Sequence, residues 1–286
     1  MSDSICPKSL LGILRRALAY GAEALPRYSC ASSKHDFTQP QLFACLVYKH
    51  YRRRTYREAC EDLRLAPAVL ELLGLTKVPH YSTLSKFASR VLSAATFEHA
   101  LACVLRDVQP TQEVASMDSS GLGKSIASAY YRMRQGKSNP ALGFVKVSAM
   151  VLKGSLLPCG VAVGTGPCND KTDVPELVRQ AQRQRVRPGA LLADKAYDSE
   201  ELLRGCWEDW KVPTYIPLHR VCKDGSARGK YRSLMTHLPK LFGQRWQAET
   251  YFSGLKRTTG STVTARKPHQ QSIAAWLHVF AYALRR

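Results

Sequence analysis

Three acidic residues in the second half of the chain have types and settings that suit metal-dependent chemistry on phosphodiesters. Asp118 and Asp194 each end a short apolar run that is predicted to be a strand, and Glu249 lies in a predicted helix over about residues 240–256. Open α/β folds build their sites at the carboxyl ends of strands, although a turn or a helix N-cap explains many Asp residues in such places. The two Asp residues taken singly therefore favour a turn.

Glu249 is flanked by two cations on one face of its predicted helix. At about 100° per residue, Arg245, Glu249 and Lys256 fall on the same side, beside a mainly apolar stripe. An exposed Arg-Glu pair at this spacing stabilises a helix by only about 0.2–0.5 kcal/mol, so by itself it indicates a surface salt bridge. Three carboxylates can instead bind two Mg²⁺ ions that activate a water or a 3′-hydroxyl, while Arg and Lys hold phosphates.

The predicted element order after residue 110 distinguishes two kinds of α/β fold. The patterns indicate three strands, a helix, a strand, a helix and a strand, then a long polar loop and two helices. A dinucleotide-binding fold would open with a Gly-x-Gly-x-x-Gly turn, but Gly121-Leu122-Gly123 lacks the third glycine. Three strands followed by strand-helix units are the order of a ribonuclease-H-like core.

The first 110 residues differ, because apolar residues recur there at three- and four-residue spacing through several predicted helices. Thr55 and Glu58 fit a capping box, and Ser82 is the predicted N-cap of a later helix. The basic side chains that we single out in this region are Arg52, Arg53, Arg54 and Lys86. A helix-turn-helix that enters a DNA groove and a helical bundle with a solvated basic face explain the pattern equally well.

The composition indicates a globular protein that binds a polyanion. The chain has 286 residues, with 42 Lys and Arg against 22 Asp and Glu, a formal net charge of +20. Its 45% of hydrophobic residues can form a core, which excludes a disordered basic tail. No apolar run approaches the ~20 residues of a membrane span. Nine scattered cysteines without a Cys-x-x-Cys pair suit reduced thiols, so we expect a cytoplasmic, nucleoid-associated protein whose partner is nucleic acid.

These motifs resemble those of the DDE transposases of bacterial and archaeal insertion sequences, in the group that shares a Tyr-x2-Arg-x3-Glu-x6-Lys signature. Residues 245–256 match the Arg-x3-Glu-x6-Lys part, and Phe242 stands where the group has Tyr, without its hydroxyl. The stretch 117–121, Met-Asp-Ser-Ser-Gly, is similar to the group's Asp-Ser-Thr-Gly. The stretch 193–198, Ala-Asp-Lys-Ala-Tyr-Asp, is similar to its Asp-Lys-Gly-Tyr-Asp.

Matched residue by residue, the resemblance implies that Asp118, Asp194 and Glu249 are the catalytic residues. They would also be the ligands of Mg²⁺, with Mn²⁺ as an alternative ion. Arg245 and Lys256 would then contact phosphates at the transposon end. The remaining predicted DNA contacts come from the basic patterns and are Arg52, Arg53, Arg54, Lys86, Arg228, Lys230 and Arg232.

The fold class that we predict is α+β. A helical DNA-binding region over residues 1–110 precedes a ribonuclease-H-like α/β catalytic domain over residues 111–286. A basic insertion, at about residues 217–239, lies before the last catalytic helix.

The resemblance implies a transposase that binds terminal inverted repeats and hydrolyses the phosphodiester at the transposon end with a divalent metal. The freed 3′-hydroxyl would then attack target DNA, and a homodimer would pair two transposon ends. Two different functions stay open beside this one: a catalytically inactive or domesticated DNA-binding protein, and a ribonuclease-H-like nuclease without strand transfer.

Two further sets of side chains have a structural and a functional interpretation. For Trp210 and Trp246 we favour core packing over stacking on a flipped base. Three acids near the predicted site are expected to cap helices, with support of the catalytic acids as the second interpretation; they are Asp170, Asp173 and Asp198.

Overall fold

The computed structural model describes residues 6–30, 32, 34–110, 113–124, 143–219, 221–222 and 226–286. The chain forms two compact units. The first unit comprises Met1–Asp107, Leu122–Val145 and Gly254–Arg286, and the second comprises Val108–Gly121 and Lys146–Ser253. Segments that are far apart in the sequence therefore pack together.

The helices and strands follow one another along the chain in an order that changes from all-helical to mixed. They are α1 (Leu10–Ala24), α2 (Gln39–Tyr51), α3 (Tyr56–Arg64), α4 (Pro67–Leu72), α5 (Tyr81–Arg90), α6 (Ala94–Val108), β1 (Val114–Lys124), β2 (Val145–Leu152), β3 (Pro158–Thr165), α7 (Val174–Arg183), β4 (Ala190–Ala193), α8 (Glu200–Arg204), β5 (Thr214–Tyr215), α9 (Lys230–Ser233), α10 (Gln247–Thr259), β6 (Thr262–Val263) and α11 (Pro268–Ala283). Short 3-10 helices include Asp170–Asp173, Lys195–Tyr197 and Lys240–Trp246.

The core of the first unit joins the N-terminal helices to the last helix. Phe43 of α2 lies 5.7 Å from Phe97 and 5.2 Å from Phe280 of α11, measured between ring centroids. Phe97 also stacks on Trp276 at 5.8 Å. By packing, α11 therefore belongs with the N-terminal helices, whereas the division into functional domains at residue 110 stays a prediction.

The N-termini of two helices in the first unit test two sequence predictions, of which the capping box is confirmed and the N-cap at Ser82 is wrong. The capping box forms as expected: Thr55 N donates to Glu58 Oε2 at 2.8 Å, and Glu58 N donates to Thr55 Oγ1 at 3.3 Å. The N-cap of α5 is His80 and not Ser82, because His80 has the extended backbone and its Nδ1 accepts from Ser82 N at 3.4 Å. The helix consequently begins at Tyr81.

The second unit is built on a sheet with the strand order β3-β2-β1-β4-β5. β4 pairs in parallel with both β1 and β5. Every residue of β2 is buried, which places this strand inside the core. Three consecutive strands on one side and two parallel strands on the other form the ribonuclease-H-like arrangement, so the predicted α+β fold class is confirmed.

Helix α7 packs directly on β3 because Gly160 has no side chain. A Cβ atom at this position would lie 2.5 Å from the carbonyl oxygen of Leu177, closer than any real contact allows. The side chain of Gln180, on α7, forms two hydrogen bonds with the backbone of Val161, on β3. Val161 N donates to Gln180 Oε1, and Gln180 Nε2 donates to Val161 O, each at 2.8 Å. The helix is thereby fixed against the sheet.

The chain before the predicted last catalytic helix is more irregular than the sequence suggested. The helix was expected from about residue 240, but Lys240–Trp246 is a 3-10 helix and α10 begins at Gln247. Gly243 within this stretch weakens a regular helix. In the predicted insertion, residues 220 and 223–225 lie outside the described residues. No helix in the described part of the chain has the length and apolar character to cross a membrane.

Candidate active site

Asp118 and Asp194 occupy matching positions on two neighbouring strands. The parallel pairing of β1 with β4 runs from Val114 with Ala190 to Met117 with Ala193. The next residue in each segment is therefore one of the two acids, since Asp118 lies within β1 and Asp194 directly follows the last residue of β4. Because neighbouring strands lie only about 4.8 Å apart, the two carboxylates start from adjacent backbone positions.

The sequence predicted that Asp118 ends its strand, but the strand continues beyond this residue. β1 continues to Lys124, since Gly123 and Lys124 pair in parallel with Thr262 and Val263 of β6. What ends at Met117 is the pairing with β4. The acid consequently lies within a long strand at the point where one partner strand stops.

The two Asp carboxylates are held by local backbone groups. Ser119 N donates to Asp118 Oδ1 at 2.8 Å, and Ala196 N donates to Asp194 Oδ1 at 2.8 Å, which makes Asp194 the cap of the 3-10 helix that follows it. Burial raises the pKa of Asp118 to about 6 despite its backbone hydrogen bond. The charges of Asp194 and Glu249 contribute to this increase, and the charge of Arg245 opposes it.

Glu249 forms the predicted pair with Arg245. Arg245 Nη2 donates to Glu249 Oε1 at 2.6 Å, although Arg245 lies in the 3-10 segment and Glu249 in the first turn of α10. The Glu249 side chain is 57% exposed, against 27% for Arg245. Lys256 follows two turns later in the same helix, within the first unit. The acid is thus available at the surface but engaged by a cation.

The three acids influence one another electrostatically without converging on one point. Among the described residues, no group of three or more His, Cys, Asp and Glu side chains is arranged to hold a metal ion. Glu249 faces Arg245, and Asp194 caps its own turn. The donor set nevertheless fits a divalent cation, because carboxylate oxygens are the ligands of Mg²⁺ and the carboxylate of Asp118 is destabilised by burial and like charge.

A buried lysine beside the site was missed by sequence reasoning. Lys146 of β2 has a side chain that is 4% exposed, and its Nζ lies 2.7 Å from Asp170 Oδ1 and 2.8 Å from Asp173 Oδ2. Ser119 Oγ donates to Asp170 Oδ1 at 2.8 Å, which links this cluster to the residue after Asp118. The available signal was a lysine in an otherwise apolar run, from Val145 to Leu152, with one serine.

Tyr197 lies among these acids. Its ring is 1% exposed, and its hydroxyl has no hydrogen-bond partner within the described residues. Burial raises the pKa of the phenol, and the charges of four surrounding acids raise it further: Asp170, Asp118, Asp194 and Asp173. The phenol therefore stays protonated and can donate a hydrogen bond.

Comparison with known proteins assigns the family. The family model described as "Transposase DDE domain" matches residues 109–284, which include Asp118, Asp194 and Glu249. The chain belongs to the DDE transposase family. No curated protein matches it. A cryo-EM structure of a piggyBac transposase synaptic complex with hairpin DNA overlaps it with a TM-score of 0.40 at 12% identity, covering 100% of this chain and 76% of that chain.

This member of the DDE transposase family has a basic cleft that is lined in part by the residues directly after Asp194. Its volume is about 690 Å³, and its lining includes Lys171, Lys195 and Arg228, with Asp198 and Glu200 as the acidic members. The predicted DNA residue Arg228 therefore lies in a concave, mainly positive surface. Lys230 is also exposed, and its Nζ lies 3.9 Å from Glu208 Oε1.

Arg232 is engaged inside the transposase domain. Its Nε and Nη2 donate to Asp198 Oδ1 and Oδ2 at 2.7 and 2.8 Å, and the Asp198 side chain is 3% exposed. His219 N also donates to Asp198 Oδ2 at 2.8 Å. Asp198 is the C-cap residue of the 3-10 helix Lys195–Tyr197, but its carboxylate binds Arg232 and His219 N and not a helix end. A DNA contact of Arg232 stays a prediction, and it would compete with this pair.

Two further acids and one of the two tryptophans depart from their predicted roles. Asp173 is the N-cap residue of α7, as predicted, but its side chain makes no capping hydrogen bond, and Asp170 lies inside a 3-10 helix. Both carboxylates bind Lys146 instead, because the buried ammonium requires compensation. Trp210 is 7% exposed and belongs to the core as predicted, whereas Trp246 is 53% exposed, so its predicted core packing was wrong.

The predicted DNA residues in the N-terminal part of the first unit are all exposed, whereas Lys256 is half-buried. Arg52 is the C-cap of α2, Arg53 donates through Nε to Thr258 O at 3.1 Å, and Arg54 pairs with Asp62 at 2.8 Å. Lys86 lies on the exposed face of α5. Their contacts with DNA stay predictions.

Proposed function

We propose that this chain is the metal-dependent transposase of an insertion sequence. It would bind the terminal inverted repeats of its element, hydrolyse the phosphodiester at the transposon end and transfer the 3′-hydroxyl to target DNA. The observation that carries the proposal is the matched placement of Asp118 and Asp194 at the end of the β1-β4 pairing, with Glu249 within electrostatic range. The match of residues 109–284 to a transposase DDE domain supports it.

Asp118, Asp194 and Glu249 would hold Mg²⁺, or Mn²⁺ in its place. The bound metal would supply a polarised water or hydroxyl and compensate charge on the leaving oxygen. Arg245 would exchange its bond with Glu249 for a DNA phosphate, which a guanidinium can bind through two N–H groups. Tyr197 would donate its unpaired hydroxyl to one of the surrounding carboxylates and so orient it.

DNA is the proposed partner of both units. The cleft lined by Lys171, Lys195 and Arg228 offers a positive surface beside Asp194, and further exposed arginines lie on the first unit. Phosphate contacts of this kind supply affinity and position the duplex without reading its sequence. We further propose that a homodimer pairs two transposon ends.

The decisive test is Glu249→Gln, assayed with Mg²⁺ on a duplex that carries the element's own end. The change removes one charged ligand while keeping the side-chain shape, so nicking should fall by more than about a hundredfold. Duplex binding measured in EDTA should stay within about twofold. Glu201→Gln, at an exposed acid on α8, is the matched control and should nick normally.

Retained nicking by Glu249→Gln would remove this acid from the reaction. Asp118→Asn should show the same loss, since it removes the carboxylate on β1. A second assay with pre-cleaved end DNA measures joining to a target duplex. Nicking without joining would identify a nuclease and contradict the strand-transfer part of the proposal.

A further inference from the structure

The first unit contains a cavity that neither the catalytic acids nor the family assignment explains. Its volume is about 480 Å³, a size typical of small-ligand sites. One wall is the C-terminal end of α2, and the opposite wall is the segment 259–265 together with α11. The segment contributes four hydroxyl residues, Thr259, Ser261, Thr262 and Thr264.

The charged residues that line this cavity are all cationic. They are Lys49, Arg53 and Arg54, and no Asp or Glu is among the described lining residues. Arg54 is neutralised by Asp62, whose Oδ2 lies 2.8 Å from its Nε. Within the described part of the chain, Lys49 and Arg53 form no ion pair, so the lining keeps two positive charges.

Lys49 is the unusual member of this group, because the residue is only 7% exposed. Burying an ammonium group without an anion is costly. Its Nζ lies 4.6 Å from the centroid of the Tyr56 ring, and this cation-π contact is the compensation that the structure provides. Burial lowers the pKa of Lys49 to about 8, with a small opposing effect from Glu58.

Two buried imidazoles complete the lining. His50 and His278 meet edge to face, with ring centroids 5.0 Å apart, and they are 6% and 4% exposed. By its geometry, Nδ1 of His278 has no hydrogen-bond partner among the described residues, although the backbone of Thr262 and Thr259 lies close enough to the ring to act on its pKa. A protein interior rarely leaves a polar nitrogen unpaired, so this atom is a second and independent sign that the cavity takes a polar ligand.

We infer that the cavity binds a phosphate group of DNA, with Lys49 and Arg53 supplying the positive charge. A phosphodiester is an anion with several acceptor oxygens, which suits an ammonium, a guanidinium and neighbouring hydroxyls at once. Arg53 is exposed while Lys49 is buried, so the charge extends from the surface into the cavity. This inference rests on the proposed function, since it identifies a further DNA contact of the transposase.

The experiment compares the full chain with Lys49→Met and Arg53→Asn, and uses Lys8→Met, at an exposed lysine of the same unit, as the control. Inorganic phosphate should raise the melting temperature of the wild type by about 2–4 °C over chloride at equal ionic strength. Both cavity variants should lose this shift. Their affinity for an end duplex should fall by about five- to tenfold, with a salt dependence flatter by about one phosphate contact.

Each outcome decides the inference. If phosphate does not stabilise the wild type, the cavity is not a phosphate site. The same conclusion follows if phosphate stabilises Lys49→Met and Arg53→Asn as much as it stabilises the wild type. If phosphate stabilises only the wild type and the control while duplex affinity is unchanged in the cavity variants, the site takes free phosphate and the DNA contact is wrong. Neither measurement involves nicking. If the wild type does not nick DNA but Lys49→Met still loses the phosphate shift and duplex affinity, the proposed function is wrong and the phosphate site is not.

Discussion

Lys49 and Lys146 are both almost fully buried, yet the two units accommodate their charges in opposite ways. Lys146 lies within 2.8 Å of Asp170 and Asp173. Burial lowers the pKa of Lys146, but the hydrogen bonds to the two acids outweigh this effect and the pKa is raised. Among the described residues, Lys49 forms no ion pair and lies against the ring of Tyr56, and burial lowers its pKa although Glu58 opposes this.

The difference distinguishes a charge that stabilises the fold from a charge that is available to bind an anion. Two half-buried carboxylates compensate Lys146 within the protein, so its removal would leave both acids without their cation, each with only a serine hydroxyl as a side-chain donor among the described residues. Removal of Lys49 leaves no acid of the described residues without its cation. The buried charge of Lys49 lowers the free energy of unfolding until an anion binds. Variants at the two lysines should therefore change stability in opposite directions.

The largest effect is expected from Lys146→Met. The substitution keeps the apolar volume of the side chain but leaves Asp170 and Asp173 without their cation, which should lower the free energy of unfolding by about 3 kcal/mol. Urea titration followed by circular dichroism measures this, with Lys240→Met at an exposed position as the control. A loss below about 1 kcal/mol would show that the cluster is not structural.

A smaller effect is expected on acidification, through His278 beside Lys49. Burial lowers the pKa of His278 to about 4, with the charges of Lys49 and Arg53 acting in the same direction. An imidazole with a lowered folded-state pKa contributes stability above its unfolded pKa of about 6.5, and this stability is lost as the pH falls toward 4. Between pH 7 and pH 5 the loss should be about 1–2 kcal/mol.

The check on this prediction is His278→Phe, which should remove that part of the pH dependence because phenylalanine cannot be protonated. His269→Phe, at an exposed position, should keep the wild-type dependence. Unfolding free energies from urea titrations at pH 7, 6 and 5 give the slope. An unchanged slope in His278→Phe would mean that other groups cause the acid sensitivity.

The smallest expected effect has the opposite sign. Lys49→Met should raise the free energy of unfolding by about 1 kcal/mol at pH 7 in phosphate-free buffer, because a buried and uncompensated charge is replaced by an apolar side chain. Differential scanning calorimetry in a cationic buffer measures the change. Destabilisation by more than about 1 kcal/mol would mean that Lys49 is structural, like Lys146.

Local patterns in the sequence predicted much of the fold and part of the site. The order of strands and helices follows from apolar periodicity, and the Thr55-Glu58 capping box and the Arg245-Glu249 pair follow from spacings of three and four residues. In each case the interacting groups are neighbours along the chain. Their geometry is consequently fixed by local backbone structure.

The features that the sequence did not predict depend on partners far apart in the chain. β1 continues past Asp118 because β6, about 140 positions later, pairs with its end. Lys146 meets acids 24 and 27 positions away, and the charges that act on Tyr197 include those of Asp118 and Asp170 from other segments. Such juxtapositions depend on the tertiary fold and leave no periodic signal.

The packing of α11 against α2 has a consequence for the order of events during synthesis. Phe43 and Phe97 leave the ribosome long before Trp276 and Phe280, which complete their cluster. The first unit therefore cannot close its core on a growing chain, although N-terminal regions commonly fold first. The second unit has all its strands by residue 215 and can form earlier, whereas the first unit is completed only after α11 is translated.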